Sequence, residues 1–136
     1  MTITRKLFTA AACAIGILSM ALAQNPAPKR LAPPETASHL GETAVVCGAV
    51  VDTSIVKHGH LGIGFPVSFY LDQPQSSPVF YFVAFGTPKG GPEEVIAAYK
   101  GKRVCVTGEI ETLPAGGAPF ILAADRSHIK PQPAAK

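Results

Sequence analysis

Four prolines in eleven residues, from Gln24 to Pro34, divide this chain into two parts that cannot share one fold. Proline has no backbone N–H and a fixed φ, so such a stretch makes neither a helix interior nor a central strand. It is expected to be a flexible lead. What precedes it is of a different kind. Arg5 and Lys6 form a short basic head, Leu7 to Leu22 is an uncharged Ala-rich run, and Ala21-Leu22-Ala23 puts small residues before Gln24. These are the three parts of a secretory signal peptide. The run is about 16 residues, short of the roughly 20 a bilayer-spanning helix needs. Cleavage is therefore the reading, with an uncleaved anchor as the alternative. Cys13 lies behind Ala10-Ala11-Ala12, a poor lipoprotein signal.

Composition changes meaning once that segment is set aside. The 136 residues are 47% hydrophobic and 15% charged, with a net charge of +3, against an average charged content of about 25%. Without residues 1–23, ten basic residues face nine acidic ones, and three cysteines become two, Cys47 and Cys105. The figures exclude a large multidomain enzyme, a charged disordered tail protein and a coiled coil, and charge alone no longer indicates a strongly basic, phosphate-seeking surface. The expected protein is exported, periplasmic or extracellular, and meets a membrane only through its signal peptide. The C-terminal KPQPAAK resembles the lead in composition. The expected organisation is a signal helix at 1–23, a flexible lead at 24–35, a folded unit at 36–130 and a tail at 131–136.

Within the folded unit, turn residues bracket short β-branched runs. Glu35 to Leu40 suits one helical turn ended by Gly41. Strands are expected at Thr43–Asp52, Val67–Asp72, Val79–Gly86, Lys102–Thr112 and Pro119–Ala124. Residues 53–65 read as a long connection, and Ser127–Ile129 as a frayed end. Pro92–Tyr99 reads as a short helix, with Pro in its first turn and Glu93 and Glu94 where the helix dipole favours negative charge. Gly48 and Gly108 stand inside long strands, where a glycine marks a bulge or sharp bend. Five strands with one helix between the third and fourth is the element order of an OB-fold, a small Greek-key barrel. The fold class expected is thus all-β. Another small barrel or sandwich has the same count.

The blocks HLGETAVVCGAV, VFYFVAFG and PEEVIAAYKGKRVCVTGEIE…PFILAADRSHI resemble a family of small exported bacterial OB-fold domains, of the tRNA-anticodon-binding type. The resemblance covers about residues 38–130 and is strongest from Tyr99 to Gly108. It implies nucleic-acid binding.

Cys47 and Cys105 lie in the first and fourth expected strands. An exported chain with two cysteines favours a disulfide, the alternative being two unpaired thiols. No Cys-x-x-Cys redox spacing occurs. His58 and His60 share a face if they lie on one strand, and such a pair can chelate zinc or copper. Two ligands do not make a site, and the glycines around them read as a solvated loop. Alternation points Phe80, Phe82, Ala84, Phe69 and Leu71 inward, and Tyr70, Tyr81 and Phe85 outward. OB-folds bind oligonucleotides and oligosaccharides on that face, often by stacking on aromatics. The candidate ligand-binding residues are Tyr70, Tyr81, Phe85, Lys57, Lys102 and Arg103. Catalysis has little support: nucleophile-elbow, metalloprotease and phosphate-loop motifs are all missing, and no cofactor is expected. The expected function is a binding module for single-stranded nucleic acid or another oligomer. The alternative is an envelope module contacting protein or oligosaccharide.

Overall fold

A computed structural model describes residues 27–56 and 64–133. The signal-peptide reading, Lys57, His58 and His60 lie outside the described residues. The described chain is mainly β. Its strands are β1 (Lys29–Leu31), β2 (Thr43–Ile55), β3 (Phe65–Leu71), β4 (Tyr81–Gly86), β5 (Arg103–Glu109), β6 (Phe120–Leu122) and β7 (Ile129–Pro131). One α-helix, α1 (Gly91–Tyr99), separates β4 from β5.

The strands form a single curled sheet in the order β6-β4-β3-β2-β5-β7, with β1 pairing parallel to β2. The curl depends on β2, the longest strand. Its first half pairs with β5 and its second half with β3. The register slips between Val50 and Asp52, so the bend sits at the exposed Val51 rather than at Gly48. A bridge from Glu111 to Phe120 brings the end of β5 round to β6. That arrangement is compatible with a barrel.

Alternation fills the concave side. Phe69, Leu71, Phe80, Phe82, Val104, Val106, Ile110 and Ile121 are fully buried. Phe69 stacks on Phe82 with ring centroids 4.9 Å apart, and Tyr99 of α1 meets both rings edge-on. The helix starts behind Thr87, whose hydroxyl accepts from the Gly90 N–H (3.0 Å) and donates to Glu94 (2.8 Å). It ends at Gly101, whose φ of 74° suits a residue without a side chain. Gly108 serves close approach. A Cβ there would stand 2.5 Å from Cγ2 of Ile121, so β6 can lie against β5 only over a bare backbone.

Two expectations need correction. The proline-rich lead is not uniformly flexible. Lys29–Leu31 pair with β2, Leu31 is buried, and Pro33–Ser38 form a 3-10 turn. Thr36, fully buried, donates to the Pro33 carbonyl (2.8 Å). A short edge strand tolerates flanking prolines because its outer row of donors needs no partner. The folded unit also extends past residue 130: Ile129–Pro131 pair with β5, and the Gln132 N–H donates to the Arg103 carbonyl. Among the described residues the sheet therefore has seven strands, where five were expected. Among the described residues, no helix is long and apolar enough to cross a membrane.

Candidate functional site: an aromatic row across the sheet

On the convex side, four residues are successive partners across four strands: Asp52 on β2, Tyr70 on β3, Tyr81 on β4 and Phe120 on β6. Direct cross-strand partners share a face. Tyr70 and Tyr81 have ring centroids 5.4 Å apart, and Tyr81 stacks beside Phe120 at 5.3 Å. The bridge to Glu111 continues the row. A continuous aromatic row thus has a carboxylate residue at each end. The next row is Ser68, Val83 and Leu122.

Burial separates platform from support. Tyr81, Val83 and Phe120 are half-buried and Leu122 is exposed. Tyr70, Phe85 and Ser68 are covered, with relative exposures of 8%, 7% and 6%. Tyr70 and Phe85, read from the sequence as contact residues, therefore buttress the face more than they present it. Phe120 was not among the candidate contacts, although alternation in PFIL carries the signal: Ile121 is buried and its neighbours turn the other way.

The turn after β3 holds the acidic end of the row in place. Asp52 accepts from the Thr53 N–H (2.9 Å) and the Gln75 N–H (3.0 Å). Asp72, at φ 64°, accepts from the Ala49 N–H (2.8 Å). The Tyr70 phenol is pushed above the ordinary tyrosine range, chiefly by burial and further by the Asp52 carboxylate, against an opposing hydrogen bond with Ser68. Burial, then Tyr70, also raises Tyr81.

The two described candidate cations are not gathered here. Lys102 and Arg103 are exposed, and Arg103 pairs with Ala49 on the half of β2 that faces β5. The strands β3, β4 and β6 carry no charged residue. Cys47 and Cys105 are direct partners on β2 and β5, with Sγ atoms 2.04 Å apart and Cα atoms 4.0 Å apart. Among the described residues, no group of three His, Cys, Asp or Glu side chains is placed to hold a metal.

No protein-family model and no curated protein matches the chain. Among solved structures, it is similar to a protein described as an aspartyl-tRNA synthetase from Leishmania major Friedlin. The TM-score is 0.44 at 10% identity, over 81% of this chain and 21% of that one. The chain thus spans about a fifth of that protein's length.

Proposed function

We propose that this chain is an exported OB-fold module that binds an oligomeric ligand across the outer face of β3, β4 and β6. The export reading rests on the three-part N-terminus, and the Cys47–Cys105 pair suits an oxidising compartment. The OB-fold reading rests on strand order: β6-β4-β3-β2-β5 run side by side, the Glu111–Phe120 bridge brings the end of β5 back toward β6, and α1 lies between β4 and β5. In that fold the corresponding face takes oligonucleotides and oligosaccharides.

One observation carries the choice of ligand: the aromatic row has carboxylate residues at both ends and no cation on its strands. A polyphosphate laid along it would meet Asp52 and Glu111 with no compensating charge on β2, β3, β4 or β6. A neutral chain with stackable apolar faces, such as an oligosaccharide, meets no such penalty. Tyr81 and Phe120 form the platform, Tyr70 keeps Tyr81 upright, and Val83 and Leu122 extend the apolar strip.

The test is binding of labelled neutral oligosaccharides and of single-stranded DNA and RNA, each at low and physiological salt. Oligosaccharide binding that ignores salt and is lost in Tyr81→Ala and Phe120→Ala supports the proposal. Nucleic-acid binding that falls steeply with salt would replace the neutral ligand by a polyanion and point to cations outside these strands. Binding unchanged in both variants would refute the face itself.

A further inference from the structure

The convex side of β1, β2, β5 and β7 is built differently, around the disulfide. Cys105 is 5% exposed, whereas Cys47 is half-buried. The Arg30 guanidinium lies over the buried sulfur, with Nη2 3.9 Å from Cys105 Sγ. Two further cations share that face by register. Lys130 is the direct partner of Cys105, and Arg103 stands two residues along β5. Thr107 separates Cys105 from Glu109 on the same strand face, and Glu109 pairs with Thr43 at the far end of the ladder. The two sulfurs are therefore not equivalent: one belongs to the more exposed residue, and the other lies under positive charge.

We propose that the Cys47–Cys105 bond is a thiol-exchange site, at which a low-mass thiol becomes attached to Cys47. The incoming thiolate attacks Cys47 Sγ and forms a new S–S bond. The Cys47–Cys105 bond breaks, and its electron pair leaves on Cys105 Sγ as a thiolate facing Arg30. No net oxidation occurs: one disulfide and one thiolate give one disulfide and one thiolate. Return attack by Cys105 expels the thiol and restores the staple. Exchange is faster when the leaving thiol has the lower pKa, and adjacent cations lower it. The attacked sulfur is set by access, the leaving sulfur by Arg30.

Reduced glutathione is the probe, added to the purified oxidised chain and quenched with an alkylating agent before peptide mapping. The expected product carries glutathione on Cys47 and the alkyl group on Cys105. Arg30→Gln, which keeps length but removes charge, is expected to slow exchange about threefold, and Arg30→Lys to retain most of the rate. A circular-dichroism spectrum unchanged from wild type shows that both variants are folded. Glutathione found on Cys105, or a rate in Arg30→Gln equal to or above that of wild type, would overturn the proposal. The second result would mean that Arg30 only shields the bond.

Discussion

The two outer faces of this sheet come from one alternating pattern and are held by different means. Across β3, β4 and β6 the face is a row of aromatic rings with no charge. Across β1, β2, β5 and β7 it is a disulfide with Arg30, Arg103 and Lys130 around it. The strip where β2 exchanges one partner for the other, at Val51, separates them. A net charge summed over the chain hides this division. Of the cations that would recommend nucleic acid, Arg103 lies on the covalent face, and the rings that would stack a ligand lie on the other.

Removing the disulfide tests the division most strongly. The bond closes a separation of 58 residues, for which the chain-entropy model gives about 4 kcal/mol. A Cys47→Ser/Cys105→Ser variant is expected to lose about that much stability in urea titration, yet to keep its ligand affinity where it remains folded. Loss of binding in the folded variant would break the comparison, because the aromatic face would then depend on the staple.

The seam where β5 meets β6 comes next. Gly108→Ala puts a methyl group against Ile121 Cγ2, a branch fixed close to the backbone of a fully buried residue. Overpacking of that kind costs about 1–3 kcal/mol. Since β6 carries Phe120, this variant should also weaken binding, unlike the cysteine variant. Pairing it with Ile121→Leu, which moves the branch outward, should recover part of both losses. Thermal melts and the binding assay read the two effects.

Smaller again is the effect of single rings. Stacking on an aromatic side chain is worth about 1–3 kcal/mol for a nucleobase, and a loss of about tenfold in affinity is expected for Tyr81→Ala or Phe120→Ala. Both rings are half-buried, so their main effect falls on binding. Tyr70→Ala should do the reverse, costing stability first, because that ring is covered.

Much of the fold was legible. Phe80, Phe82, Ala84, Phe69 and Leu71 follow the period of two that a half-buried strand imposes, and all are fully buried. The short helix announced itself through Pro92 and its acidic first turn. The edge strands were not legible. Leu31 and Ile129 are single apolar residues among prolines and polar neighbours, and only the ladder they join gives them burial. Register was also out of reach. Whether Arg103 sits beside Tyr70 depends on where β2 changes partners, and no local residue pattern states that. Exposure within a face was the third limit: Tyr70 points outward as alternation says, yet its neighbours cover it.

The smallest effect isolates the acidic end of the row. The Tyr70 phenol is raised first by burial and then by Asp52. Its neutral form is the one that the fold favours. That contribution is therefore complete below about pH 10, where unfolded tyrosine begins to ionise, and is lost as pH rises through the higher folded value. Tyr99 is raised by burial as well, but its charged neighbour is Arg126, which acts in the opposite direction. In Asp52→Asn the charge disappears and one oxygen remains to accept a backbone N–H, so the turn keeps one of the two hydrogen bonds that Asp52 accepts from Thr53 and Gln75. Ultraviolet titration should then show part of the tyrosinate signal at lower pH than in wild type, with the Tyr99 component unmoved. The same variant asks what the row selects. Affinity for a neutral oligosaccharide should stay nearly constant, whereas single-stranded DNA, if it binds this face at all, should gain. A gain for DNA would mean that Asp52 excludes phosphate, and equal affinities in both proteins would mean that the carboxylate serves the turn alone.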